Sequence, residues 1–465
     1  MFTDMFDKEV YKKRRQKLHE FLKEGIVFFP GNDESAINYL ANTYRFRQDS
    51  SFLYYFGLNQ PGLAAICDME TGKDIVYGND LELDDVVWMG EHPSVKELSA
   101  FCAADGSGSL GDLAADLKKA KAAGRRIHIL PTYRGEQVLW IAELLGIQSG
   151  EVKKYISEEL IRAVVEMRSV KDKFEIEETV KAVEVAYKMH TTAMMMGHPG
   201  NTESELAGTI EGIALTGGGQ SAFPIILSMN GQTLHNHYHG NTLVKGRMVV
   251  TDAGAETALG YASDITRTFP VGGKFSQKQK EIYEIVLAAN MRTIEAAAPG
   301  VTNKSLHMLA ARTVAEGLSA LGIMKGDIQE AVETGAHALF FPHGLGHMLG
   351  LDVHDMEGLG ETYVGYDHTV SRSDQFGLAY LRLAKAHKPG FLFTIEPGIY
   401  FIPPLIERWR KENRFSQFIN YSKLDSYMDF GGIRIEDDVL ITENGHTVVG
   451  KPIPKTVAEV EDMMK

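Results

Sequence analysis

Apolar positions in the first third of the chain come in short runs separated by amphipathic stretches. Residues 25–30 (GIVFFP), 64–68 (AAICD) and 126–130 (RIHIL) are too short for helices and read as buried strands. Ala-rich stretches around residues 111–123 and 137–145 carry apolar residues at helical spacing. Strands alternating with helices predict a small α/β layer domain over residues 1–160. From residue 158 to 189 the pattern is helical, with an interruption at 167–172 (MRSVKD) that marks entry to a second domain, residues 161–465. There, Ser276 and Gln279 form a capping box for a helix through Ile282, Val286 and Met291, stopped by Pro299 and Gly300.

A different pattern occupies residues 249–270, VVTDAGAETALGYASDITRTFP. Two runs of strand formers flank residues 258–260, which read as a turn with Gly260 available for positive φ. If the hairpin folds symmetrically about Ala258, Asp252 and Asp264 lie opposite each other, with Cβ atoms roughly 5 Å apart. Two carboxylates that close repel unless they share a proton, a cation or solvent. A solvated hairpin tip is the plain alternative.

Composition narrows the classes. A chain of 465 residues, 44% hydrophobic and 24% charged, exceeds one ordinary core and predicts two or three globular domains. The net charge of −14 disfavours nucleic acid or an anionic membrane as partner. Two cysteines, Cys67 and Cys102, provide neither a disulfide framework nor a thiolate metal site. The N-terminal stretch has no apolar signal segment and no later run is long enough to span a bilayer, so a cytoplasmic location is expected. YKKRRQ (residues 11–16), the one basic cluster, reads as the wet face of a helix through Leu18, Phe21 and Leu22. The triple glycine at 217–219 lacks the ending of a phosphate loop and reads as a flexible connection.

Three further stretches bear on the aspartates. FPHGLGHMLGLDVHD (341–355) carries His343, His347 and His354, but Pro342, Gly344 and Gly346 argue against a helical zinc pair. Glycines there let the backbone approach a site closely. FTIEPGIY (393–400) places Glu396 after a strand-like run. GGIRIEDDVLIT (431–442) alternates, with Ile433 and Ile435 on one face and Arg434 and Glu436 on the other. Each acidic residue alone fits a wet strand face. Together, four carboxylates and one imidazole balance two divalent cations, and an oxygen-rich set suits Mn²⁺. Two metals about 3.5–4 Å apart are the arrangement by which hydrolases activate a bridging water.

DAGAE…GYASDITRTFP, HGLGHMLGLDVHD, FTIEPGIYF and GGIRIEDDV resemble the pita-bread dimetal peptidases, in the branch of aminopeptidase P and prolidase. TYRFRQDSSFLYYFGLNQPG (43–62) and VVWMG (86–90) resemble that branch's N-terminal domain. The resemblance implies an α+β chain, with a C-terminal pita-bread (creatinase/aminopeptidase) fold and a smaller N-terminal α/β domain. It implies Asp252, Asp264, His347, Glu396 and Glu436 as metal ligands, with Glu396 also as general base. His343 and His354 are implied as the histidines that bind substrate and stabilise the developing oxyanion. Of His235, His237 and His239, His235 keeps the family's spacing to Asp252 and is preferred as the further site histidine. Arg434 is expected to hold Glu436 or a substrate carboxylate. The Asp252–Asp264 interval is one residue longer than the family's, which calls for a bulge or longer turn near residues 257–260.

The implied activity is hydrolysis of the bond between an N-terminal residue and a following proline, by attack of a hydroxide bridging two metals. Partners are then short peptides with proline second, with no nucleic acid or membrane, and a homo-oligomer is expected. Xaa-Pro aminopeptidase is the preferred form. The segment 406–430 looks prolidase-like and keeps the dipeptidase as the alternative. A metal-free creatinase-like hydrolase and a non-enzymatic peptide-binding module on this fold are disfavoured, because both would be expected to lack ligands that this sequence has.

Overall fold

The computed structural model describes residues 5–465; the first four residues of the N-terminal stretch lie outside that range. Two compact units are present: Met1–Arg168 with Glu357–Tyr363, and Ser169–Met356 with Val364–Lys465. The first contains a mixed five-stranded sheet in the order Gly106–Gly108, Lys73–Tyr77, Ala64–Asp68, Ile26–Pro30, Ile127–His128. Its two inner pairings are antiparallel and its two outer ones parallel. Helices Leu110–Ala122 and Gly135–Leu145 bury Leu113, Leu117, Ile141 and Leu145 against Ile26, Phe28 and Ile66 of the sheet. The strands and helices expected at these places are present.

The basic cluster is placed differently from expectation. Helix Lys8–Phe21 turns Tyr11, Arg14, Arg15 and Leu18 inward and leaves Phe21 45% exposed. Arg15 is fully buried, with Nε donating to Asp74 Oδ2 at 2.7 Å and Nη1 to the Tyr55 carbonyl at 2.8 Å. Its Nη2 donates to the Cys102 carbonyl at 2.9 Å. A buried guanidinium is tolerated when its donors are paired, and these come from segments far along the chain.

In the second unit, helices Lys173–Met195, Glu203–Thr216, Gln277–Ala296 and Asn303–Ala320 accompany small antiparallel sheets. The Ser276–Gln279 capping box starts the third of these helices. Strand Met248–Ala253 is central, flanked by Ile226–Ser228 and Ile265–Pro270. Leu392–Ile395 pairs with Asp437–Thr442, which pairs with Gly445–Val448. Gly398–Tyr400 pairs with Gly432–Arg434, and helices Pro403–Lys411 and Tyr421–Leu424 fill the connection between them. Among the described residues, no helix is long and apolar enough to cross a membrane.

The aspartate hairpin turns at residues 258–260 as expected, but its pairing is centred on Leu259 and not on Ala258. Pairing runs from Met248 with Pro270 to Ala253 with Ile265, and Glu256 bridges Ala262. Thr257 N donates to the Tyr261 carbonyl and Gly260 N to the Thr257 carbonyl, both at 2.9 Å. The tip is therefore residues 258–260 with Gly260 at φ 84°, a three-residue loop ending in the left-handed conformation that suits strand twist. A left-handed glycine closing such a loop is the bulge position of a three-residue hairpin. Asp252 consequently faces Thr266, and Asp264 lies diagonal to Asp252 on the same face.

Candidate metal centre

Three strand-like segments of the second unit converge on this hairpin. Glu436 N donates to the Thr266 carbonyl at 3.1 Å, and Arg434 N to Thr268 Oγ1 at 3.2 Å. The 431–442 run is two strands, Gly432–Arg434 and Asp437–Thr442, with Glu436 at the change of pairing partner. The histidine segment runs beside 392–396: Leu349 N donates to the Leu392 carbonyl at 3.0 Å, and Glu396 N to the Leu345 carbonyl at 2.8 Å. Gly346 is required for this approach, since a Cβ there would lie 1.9 Å from the Thr394 carbonyl oxygen. The segment is not helical, in agreement with its proline and glycines.

Asp264, His347 and Glu436 are buried, and each offers a ligand atom within 4.8 Å of the others. His347 Nε2 lies 3.3 Å from Asp264 Oδ2 and 3.7 Å from Glu396 Oε1. His347 Nδ1 faces the Met348 carbonyl at 3.1 Å; a carbonyl only accepts, so this nitrogen carries the hydrogen. The lone pair on Nε2 therefore points at carboxylate oxygens. Burial holds the imidazole well below its ordinary pKa, with His354 adding to the effect. Burial pushes Asp264 well above the usual carboxylate range, followed by the charges of Glu436 and Asp252. Glu436 is raised by burial and then by Glu396, and Glu396 is pushed up to about 7, chiefly by burial. Buried Oδ1 atoms on both Asp252 and Asp264 meet no hydrogen-bond donor. An acceptor nitrogen and orphaned carboxylate oxygens gathered in this way fit divalent cations.

All the residues singled out from the sequence line one cavity of about 590 Å³: His235, Asp252, Asp264, His343, His347, His354, Glu396, Arg434 and Glu436. His237 lines it as well, whereas His239 turns its Nε2 to the Ile225 carbonyl at 3.1 Å. The His354 ring sits 4.1 Å from that of His347. His343 Nδ1 donates to the Gly344 carbonyl at 2.8 Å, so its Nε2 accepts from Tyr400 Oη at 2.9 Å. Arg434 departs from expectation. Its guanidinium does not hold Glu436 but donates to Asp252 Oδ2 at 2.5 Å, Tyr400 Oη at 2.9 Å and Thr266 Oγ1 at 3.0 Å, while it lines the cavity. Thr266 in turn donates to Glu436 Oε2 at 2.6 Å.

Sequence reasoning missed Thr266, Tyr400, Asp438 and Arg382. The first two carried a signal, since Thr266 lies two residues after Asp264 and Tyr400 four after Glu396, on positions of matching strand parity. Asp438, fully buried, accepts from Asp264 N at 3.2 Å. Arg382 lines the cavity from an irregular segment with no periodic signal.

Residues 177–443 match metallopeptidase family M24, and residues 11–129 match the aminopeptidase P N-terminal domain. The chain belongs to metallopeptidase family M24. Among its M24 relatives, the Xaa-Pro dipeptidase of Homo sapiens is 33% identical over 98% of this chain and 93% of its own length. A probable Xaa-Pro aminopeptidase of Aspergillus clavatus is 32% identical over 97% of this chain and 95% of its own. Aminopeptidase P of Escherichia coli, solved in complex with substrate, superposes with a TM-score of 0.80 at 28% identity, covering 99% of both chains. The M24 chain thus has the pita-bread aminopeptidase P/prolidase architecture, with its smaller N-terminal domain.

Proposed function

We infer that this M24 chain is a metallo-exopeptidase that cleaves the bond between an N-terminal residue and a following proline. The observation that carries the reading is the set of carboxylates around His347 Nε2, in a cavity of the size a short peptide needs. Asp252, Asp264, His347, Glu396 and Glu436 would hold two divalent cations, and their oxygen-rich chemistry favours Mn²⁺. When bound, the pair supplies Lewis acidity to the scissile carbonyl and to water.

The bond before proline is a tertiary amide with no N–H to donate, so strand-like recognition of it is weak. Residues that grip the carbonyl and the flanking groups have to do that work. Glu396, which lines the cavity, would take the proton from the attacking water and return it to the prolyl nitrogen. His354 and His235 face the cavity and can donate to the carbonyl oxygen as charge develops on it. His343, expected to share that role, has Nδ1 donating to Gly344 and Nε2 accepting from Tyr400, so it has no hydrogen left for the carbonyl oxygen and serves as part of the wall. Arg434 orients Asp252, keeping Oδ2 occupied and leaving Oδ1 toward the site.

Aminopeptidase action on longer peptides is the preferred form from sequence. Arg382 favours a second reading, because a guanidinium in the cavity suits the C-terminal carboxylate of a dipeptide. Hydrolysis of Ala-Pro and Ala-Pro-Ala by the metal-loaded protein separates them. Comparable cleavage of the tripeptide supports the aminopeptidase; cleavage of the dipeptide alone supports the dipeptidase.

Short peptides are the partners of this reading, and a cytoplasmic location and a homo-oligomer accompany it. Both cysteines are buried and free, as suits a reducing compartment. Helix Leu83–Met89 has no buried residue and exposes Leu83, Val87 and Trp88, apolar surface of the kind that subunit contacts cover.

A further inference from the structure

We propose that Lys171 is a positioning residue for the reaction, acting through Asp355 to hold His354 beside the metal-binding carboxylates. The proposal rests on the role assigned above to His354.

Lys171 Nζ and Asp355 Oδ2 are 2.6 Å apart, with side-chain exposures of 0% and 1%. Removing two charges from water is expensive, and a pair this buried adds little net stability over an apolar pair of similar volume. What it specifies is geometry. The segment from 349 to 356, which carries His354, contains no helix or strand, so no ladder of backbone hydrogen bonds fixes the imidazole. The loop is instead closed on Asp355. Its backbone N donates to the Met348 carbonyl at 2.8 Å, and its Oδ1 accepts from Asp352 N at 3.3 Å.

The next residue, Met356, is buried and adopts φ 64°, a left-handed conformation that costs a side-chain-bearing residue energy and persists only where the surroundings impose it. On the other side, Lys171 is anchored by its own backbone, its N donating to the Gly390 carbonyl at 2.8 Å. A fixed cation, a buried carboxylate and a strained bend thus bracket His354, whose ring lies 4.1 Å from that of His347. Lys171 is 183 positions away from His354, yet the carboxylate it holds belongs to the adjacent residue.

The test is a double-mutant cycle on the metal-loaded full chain, with Ala-Pro as substrate and kcat, KM and metal content measured. Lys171→Met is expected to lower kcat on the order of tenfold, with KM and metal content unchanged. Introduced into His354→Ala, it should produce no further loss, because the group it positions is gone. An equal loss in both backgrounds, or an unchanged kcat in the single variant, overturns the proposal. Full turnover in His354→Ala overturns the role given to that histidine, a separate and recognisable outcome. Should Lys171→Met fail to fold, Asp355→Asn, which keeps the side-chain shape, enters the same cycle and is judged by the same two results.

Discussion

Asp264 Oδ1 and Asp252 Oδ1 are buried carboxylate oxygens without a donor, and each is an energetic liability until a cation arrives. Replacing Asp264 with Ala removes a ligand and one of several mutually repelling charges. The metal-free variant is therefore expected to melt no lower than the metal-free parent. It should lose most of the thermal stabilisation by Mn²⁺, which for the parent is about 2.7 kcal/mol per occupied site at a hundredfold excess over Kd. Thermal melts with and without metal check this; a variant stabilised as strongly as the parent would contradict it. The raised carboxyls also set a pH dependence. Glu396 moves from 4.5 unfolded to about 7 folded, so its contribution to metal-free stability is full below about 4.5 and is lost as pH rises through 7. Asp264 and Glu436 move in the same direction, both primarily through burial. Buried His307 and His337, pushed down by burial to about 3 and about 4, lose their contribution as pH falls below about 6.5, but do so in both forms. The melting-temperature gap between metal-loaded and metal-free protein should thus widen from pH 4.5 to 7, and a constant gap would count against the assignment. At this scale strand parity made the shared face of Asp252 and Asp264 legible. The partner of Arg434 was not, since Asp252 lies 182 positions away.

Among the elements, the histidine segment was legible as irregular because Pro342 removes a donor and Gly346 has room for no side chain. The first helix was misread because solvation is the ordinary state of a basic cluster. Only the fold supplies Asp74 and the Tyr55 and Cys102 carbonyls to Arg15. The His235 loop was legible by spacing alone, and what holds it was hidden. Glu203, fully buried in the first turn of helix Glu203–Thr216, accepts from Met229 N at 2.8 Å and from Asn241 Nδ2 at 2.7 Å. It clamps both ends of residues 229–241, which carry His235 and His237. Glu203→Ala strands those donors, so a loss of about 2 kcal/mol or more is expected in denaturant unfolding. KM should rise several-fold with metal content unchanged, and an unaltered KM would show that this loop needs no such clamp.

For the whole molecule, four short motifs scattered from residue 252 to 436 made the M24 catalytic fold readable, because together they carry four carboxylates and an imidazole among otherwise apolar or glycine-rich runs. The limits of the first unit were less readable. Helix Glu158–Ser169 continues its helical pattern past residue 160, and the unit also takes in Glu357–Tyr363, nearly two hundred positions later. Contact of that kind leaves no periodic trace. The central claim concerns the metal pair, and the direct measurement is metal stoichiometry against hydrolysis of Ala-Pro. Dialysed against chelator, the protein should lose activity, then regain it as Mn²⁺ binds to two equivalents per chain. Undiminished hydrolysis by protein shown to contain no metal would contradict the account.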